Sequence, residues 1–442
     1  LSHSSAASDV YKRQNQNTKK LLLKGGRIID PFSKKTFIGD LLVENGSIAK
    51  IADSISSKGK NYNVINCKGL IVTHGFCDIH VHFREPGRED KENLESGSIA
   101  AIAGGFTQVC TMPNTDPVID SPEHVYYIAS KSKDLPIEIF PIGAVSKNLE
   151  GEHLTEMMLM KKNGAIAFTD DGMSIQNPQF MSLALRYAQM IDVPILNHAE
   201  DIYLRNDGVM NASKTSSNLG LKGNNSLAEA MMVYRDLLLA TSLSARLHIL
   251  HVSTKESVDL IKKFKSKDGL ITSEVCPHHL YFSDEDIQEF NTNLKVGPPI
   301  RGKADRQKLI EGIKSGIIDC IATDHAPHTL EDKETTFNDA AFGMIGLESC
   351  FGAVNKVLVK NNGMSLKSLI EKLTVNPRKV MNIDRDLFEI GKKAQITILD
   401  PNQKWTFSNE DIYSKSSNSP FIGEEMVGKV KYVVSKSKFY TL

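Results

Sequence analysis

Four histidines and two aspartates stand at the ends of short apolar runs, and together they form a donor set for a divalent metal. His80-Val81-His82 closes the run 71–82. In an extended strand, residues two apart point to the same side, so both imidazoles share one face. Asp170-Asp171 closes the run 164–171, His198 closes 193–198, His251 closes 246–251, and Asp324 lies at the end of 317–325. Neutral imidazole with carboxylate suits zinc, and one carboxylate can bridge two ions. Each residue alone has an ordinary explanation. HxH is a common buried pair, His198 or His251 alone reads as a core histidine, Asp170-Asp171-Gly172 reads as a turn, and Asp324 as a helix N-cap. Their common level in a repeated pattern makes the metal set the stronger reading.

That pattern is a series of eight apolar runs, the remaining three being 105–114, 137–145 and 270–279. Between them lie segments with helical spacing, such as 121–133, 177–191, 226–243 and 254–267, the last opening on a Thr–x–Glu start signal. Strand–helix repeats of this kind predict an α/β fold, a closed (β/α)8 TIM-type barrel over 72–384 with its chemistry at the C-terminal strand ends. Residues 21–71 and 385–442 alternate like strands, with Asn45-Gly46 as a hairpin turn. They are expected to form one small β-sandwich module from both ends of the chain. Residues 1–20 are polar, lack periodicity and resemble translated adapter sequence. They are expected to be a disordered or artefactual tail, and without an apolar core they do not read as a secretory signal.

Lys plus Arg equals Asp plus Glu, so the formal net charge is zero. No global field invites nucleic acid or an anionic membrane, although local patches stay open. The six cysteines are scattered without a CxxC pair and read as reduced, buried thiols of a cytoplasmic protein. No apolar run approaches a membrane span of roughly 18 residues.

The segments DIHVHFREPG, MPNTDPV, AFTDDG, NHAED, LHILHVSTKES, EVCPHHL, PPIRGKADR and ATDHAPHT follow one another in an order that resembles the class I dihydroorotases of the amidohydrolase superfamily. The similarity runs from about residue 21 to the end. FREPG, MPNT and DHAPH are its specific elements, whereas HxH marks only the superfamily. The resemblance implies a cyclic amidohydrolase of pyrimidine biosynthesis that closes N-carbamoyl-L-aspartate to (S)-dihydroorotate and reopens it. It implies zinc, two ions rather than one, held by His80, His82, Asp171, His198, His251 and Asp324. Asp171 matches the bridging carboxylate, and Asp324 matches a ligand that is also the acid and base. Asp170 is expected to orient its neighbour or hold a loop. His248, His278 and His279 are expected in supporting positions. Arg84, Asn114 and His328 match the groups that hold the substrate carboxylate, with His82 beside them. Phe342 and Gly343 match a backbone contact to the pyrimidine ring. Residues 329–339 are expected to form a mobile lid.

The chain departs from the pattern at three places. Gly297 stands where many relatives carry a substrate-touching Asn, so that contact is lost, supplied by water or replaced. His74 replaces a Pro, with only a local turn change expected. Ala341 replaces another Pro, which is expected to loosen the lid. Hydantoinases, dihydropyrimidinases and allantoinases are the nearest alternatives. They typically bridge their metals with a carboxylated Lys, where this chain has Thr169, while Lys161 and Lys162 lie too early. A non-catalytic subunit scaffolding aspartate carbamoyltransferase is the other alternative, disfavoured because every metal ligand is present. A homodimer is expected, with association with aspartate carbamoyltransferase left open.

Overall fold

The computed structural model describes residues 16–17 and 19–442. The tail reading therefore falls largely outside the described residues. Its last part does not stand apart from the fold: Gln16–Asn17 pairs antiparallel with Lys438–Thr441.

Among the described residues, eight strands run parallel in the order of the chain. They are β1 (Phe76–Val81), β2 (Phe106–Thr111), β3 (Glu138–Pro141), β4 (Phe168–Thr169), β5 (Ile195–Asn197), β6 (Leu247–Ile249), β7 (Ile271–Val275) and β8 (Cys320–Ile321). All eight fall inside the apolar runs of the sequence. β1 to β3 form one sheet and β4 to β8 another. Parallel bridges Gly143↔Phe168 and Val81↔His325 connect the two sheets at both ends. Helices alternate with the strands because their apolar residues recur on one side. Pro178–Met190 buries Phe180, Met181, Ala184, Leu185 and Ala188 and is capped by the Asn177 side chain. Lys255–Phe264 is capped by Thr254, which accepts from the Ser257 amide. Each fully buried aliphatic side chain contributes roughly 1.5–3 kcal/mol. Another buried cluster joins Cys77, Ile79, Cys110, Leu196 and Cys320 from four of the strands.

The two chain ends meet in one nine-stranded sheet. Lys35–Glu44 and Ser47–Ala52 form the expected hairpin, with Asn45 and Gly46 at φ +50° and +77°. Ile396–Thr406, Glu425–Ser435 and Lys438–Thr441 supply the C-terminal part.

The run 71–82 is not one strand. Ile71–His74 belongs to the nine-stranded sheet, where it pairs with Ile396–Thr406, and β1 begins only at Phe76. The chain passes between the two at Gly75, where a Cβ would lie 2.1 Å from Thr107 Oγ1. This corrects the reading of His74 as a turn position. It is a fully buried strand residue, 3.3 Å from Asp30 Oδ1 and edge-on to Phe388. The six cysteines are free and buried, as expected. No described helix is long and apolar enough to cross a membrane.

Candidate active site

The six expected metal ligands converge in one buried cluster at the C-terminal ends of β1, β4, β5, β6 and β8. Asp171 sits at its centre and faces two ways. Its Oδ2 lies 3.4 Å from His80 Nε2 and 3.3 Å from His82 Nε2. Asp324 Oδ1 closes that group, 3.3 Å from His80 Nε2 and 3.1 Å from His82 Nε2. The other oxygen, Asp171 Oδ1, lies 3.6 Å from His198 Nδ1 and 3.5 Å from His251 Nε2. Those two ring nitrogens are 2.9 Å apart. Zinc–ligand bonds of about 2.0–2.1 Å in a tetrahedron put neighbouring donors about 3.4 Å apart. Most of the separations in both groups match that edge.

Two observations test whether a cation fits. His80 Nε2 and Asp171 Oδ1 are buried and make no hydrogen bond, a state that costs about 1–3 kcal/mol each unless something binds them. In addition, the far nitrogens of three imidazoles face acceptors. His80 Nδ1 lies 2.6 Å from Glu274 Oε1, His82 Nδ1 lies 2.8 Å from Asn114 Oδ1, and His198 Nε2 lies 3.7 Å from Glu200 Oε2. A ring that donates from its far side presents a lone pair to the cluster, as metal-binding histidines do. The donor set fits a divalent cation.

The charges are mutually dependent. Burial disfavours the charged form of each group, yet Asp324, Asp171 and Glu274 hold the His80 imidazole well above its usual range. Burial would raise the Asp171 carboxyl, but His80, His198 and His251 keep it well below the ordinary carboxylate range. His198 is likewise held up at about 10 against burial, by Asp171 and Glu200. A divalent cation bound there would take the place of these protons. Backbone strain is stored here as well. His251 and Asp324 adopt φ +28° and +51°, and Arg84 adopts φ +60°.

The cluster opens into a cavity of about 190 Å³. Arg84, Asn114, His328, Phe342 and Gly343 all line it, and among the described residues no lysine does. Arg84 donates from Nε to the Pro327 carbonyl at 3.1 Å, and its Nη2 is 3.3 Å from His328 Nε2. Gly343, at φ +138°, has no room for a side chain, since a Cβ would lie 2.8 Å from Ala326 Cβ. Gly297 leaves an open space instead: a Cβ there would meet only Phe342 Cδ1, at 3.7 Å. Arg205 lines the same cavity and stacks 5.0 Å over the Phe342 ring.

His328 is already engaged. Lys91 Nζ donates to its Nδ1 at 3.2 Å, and its Nε2–H donates to the Phe342 carbonyl at 2.9 Å. Burial and the neighbouring Arg84, Lys91 and Lys333 push its pKa down to about 3. The unfolded chain takes that proton near pH 6.5. Between these values the unfolded state binds more protons, so the stability from this site is complete above pH 6.5 and is lost as pH falls toward 3. His328→Gln is therefore expected to lessen the loss of stability between pH 7 and pH 4.5. Urea denaturation of both proteins at the two pH values checks this, and identical differences would refute it.

The remaining expectations resolve individually. Asp170 holds the loop after β3, accepting from the Val145 and Ser146 amides at 2.8 and 3.0 Å. His248 supports from beneath, with Nδ1 on Thr272 Oγ1 at 2.9 Å and Nε2 on Glu274 Oε2 at 3.1 Å. His278 and His279 are buried, and His279 Nε2 donates to the Pro298 carbonyl. Residues 329–339 are docked. Lys91 pairs with Asp332 at 2.8 Å, Lys333 Nζ donates to the Ala341 and Gly343 carbonyls, and Phe337 is buried. At position 341 the alanine, unlike a proline, keeps its backbone N–H. Its amide donates to the Asp332 carbonyl at 3.0 Å, a bond that proline would lack.

Sequence reasoning gave no role to Glu274, Glu200 or Lys91. Glu274 had a visible signal, a carboxylate one residue before the end of β7. It touches both halves of the centre, through His80 Nδ1 and through the His251 amide at 3.3 Å. Glu274→Gln is expected to weaken metal binding about 10–100-fold. Competition with a chelator measures it, and unchanged affinity would show that Glu274 does not orient the site.

The sequence matches the family model described as dihydro-orotase-like over residues 69–257. It is 42% identical to a dihydroorotase of Caldicellulosiruptor saccharolyticus over 95% of this chain and 97% of that one. It is 44% identical to a dihydroorotase of Syntrophus aciditrophicus over 93% of this chain and 96% of that one. The chain belongs to the dihydroorotase family. Among solved structures, it is similar in fold to an L-hydantoinase from Arthrobacter aurescens, with a TM-score of 0.83 at 23% identity over 93% of this chain and 94% of that one. A D-hydantoinase from Thermus sp. gives 0.79 at 22% identity, over 95% and 94%. That likeness concerns the fold. In this chain the carboxylate between the two histidine groups is Asp171.

Proposed function

We propose that this chain is a zinc-dependent dihydroorotase that interconverts N-carbamoyl-L-aspartate and (S)-dihydroorotate in pyrimidine biosynthesis. The observation that carries the reading is one small cavity holding two things: a carboxylate shared between two histidine groups, and a half-buried Arg84 with no carboxylate partner among the described residues. A cation centre beside an unpaired guanidinium suits a cyclic amide that carries its own carboxylate.

His80, His82, Asp171 and Asp324 would hold one zinc ion, and Asp171, His198 and His251 a second. Bound zinc would supply a Lewis acid that polarises the amide carbonyl and brings the pKa of water toward neutrality. Arg84, Asn114 and His328 fix the remote carboxylate, so that the amide lies over the cluster. His328 reaches it by releasing the Phe342 carbonyl, which frees that carbonyl for the ring. Asp324 takes the proton of the attacking water and delivers it to the departing ring nitrogen. In the biosynthetic direction the same residue removes the proton from nitrogen and returns it to the leaving water.

On this reading the eight parallel strands, from Phe76 onward, close as a (β/α)8 barrel, and the nine-stranded sheet, built from the two chain ends and including Ile71–His74, folds beside it as a sandwich. The enzyme acts in the cytoplasm as a homodimer, with aspartate carbamoyltransferase as a partner to test by co-purification. The deciding experiment assays the zinc-loaded protein with dihydroorotate, hydantoin and allantoin. Hydrolysis of dihydroorotate alone is the expected result. Preference for hydantoin or allantoin would overturn the assignment.

A further inference from the structure

A second cavity, of about 420 Å³, lies at the opposite end of the strands from Asp324. Its wall includes Leu247 and Ile271, the first residues of β6 and β7. Six cations line it, Arg246, Lys265, Lys267, Arg378, Lys379 and Arg385, against two carboxylates, Asp268 and Asp319. In a chain of zero formal charge this is a local concentration of one sign.

The carboxylates do not neutralise it. Asp319 is taken by Lys265 Nζ at 2.6 Å and the Ser273 amide at 2.9 Å. Asp268 accepts from Ser266 Oγ and the Leu270 amide. Arg246 is spent on the Val380 carbonyl and on Asp192. Among the described residues, Lys267, Arg378, Lys379 and Arg385 have no carboxylate within ion-pair distance.

Arg378 is the decisive residue. It is fully buried, with Nε donating to Gln108 Oε1 at 2.6 Å and Nη2 to the Gly75 carbonyl at 2.7 Å. Its Nη1 is buried without a hydrogen bond. Buried charges are ordinarily paired, because an isolated one forfeits its hydration with no return. Its charge therefore stands uncompensated behind the cavity wall and adds to the positive potential there. Val380, Ile383 and Pro194 give the same cavity an apolar side. The space exceeds that of the candidate active site, so it takes more than an inorganic ion.

We propose that this cavity is a second ligand site, for a small phosphorylated molecule of nucleoside monophosphate size. The phosphate meets Lys267, Lys379 and Arg385, in front of the uncompensated charge of Arg378, and the organic part lies on the apolar side.

The test is calorimetric titration of the full, zinc-loaded chain with uridine monophosphate and, in parallel, with inorganic pyrophosphate. The double variant Lys267→Glu/Lys379→Glu is titrated beside it. Both lysines are exposed, so the substitutions do not threaten the core. The expected result is binding of the nucleotide that weakens by about tenfold or more in the double variant and on raising the salt concentration. Dihydroorotate kinetics stay unchanged in that variant. Pyrophosphate binding of the same strength would assign the site to phosphate groups in general, and weaker pyrophosphate binding would show that the apolar side contributes. Absence of binding by both probes at millimolar concentration overturns the proposal. So does binding that the double variant leaves intact.

Discussion

Asp324→Asn is expected to lower dihydroorotate turnover by about 10²–10⁴-fold while the chain stays folded. The carboxylate has two tasks. Its Oδ1 completes the group of His80 and His82, and in the proposed reaction the carboxylate also carries the proton. An amide oxygen still coordinates weakly, but it does not accept the proton at neutral pH. Weaker metal binding adds to the loss. The fold survives because the backbone here is anchored independently: the Thr323 amide and hydroxyl both bond to buried Asp78, the hydroxyl at 2.5 Å. The check is bound zinc, kcat and KM on one preparation, with circular dichroism to confirm folding. Near-normal turnover with full zinc would show that another group moves the proton.

Arg84→Ala is expected to lower kcat/KM for dihydroorotate by about 30-fold to several thousand-fold, with zinc content unchanged. The basis is the cost of truncating one partner of a buried, hydrogen-bonded charge pair, about 2–5 kcal/mol. Burial pulls the Arg84 guanidinium down to about 10, so it remains charged at neutral pH. It donates to the Pro327 carbonyl and lies beside a neutral His328, neither of which balances that charge. In the proposed reaction the substrate carboxylate does. Arg84→Lys should recover only part of the loss, because an ammonium lacks the planar fork. Steady-state kinetics of the three proteins decide it. If Arg84→Ala leaves dihydroorotate kinetics unchanged, the carboxylate pocket lies elsewhere and a hydantoinase-like activity regains support.

The sequence by itself determined the eight strands and the placement of six metal-site residues at their ends. Both follow from local rules. Apolar runs of strand length alternate with helical ones, and HxH within one strand puts two imidazoles on one side whatever surrounds them. The hairpin at Asn45-Gly46 was legible for the same reason, since its turn type depends on two residues. Tertiary structure alone decided what depends on distant partners. The run 71–82 splits at Gly75, where Thr107 leaves no room for a side chain and the amide donates to the Gln395 carbonyl. The docked segment 329–339 depends on Lys91 and Lys295, which reach it from elsewhere in the chain. Asp171 divides its two oxygens between two histidine groups only once β1, β5 and β6 are assembled around it. Glu274 gave a residue type but no role, because orienting an imidazole is a matter of 2.6 Å between atoms 194 residues apart in the chain. Local periodicity fixes which way a side chain points, and only the closed packing of strands fixes what it meets.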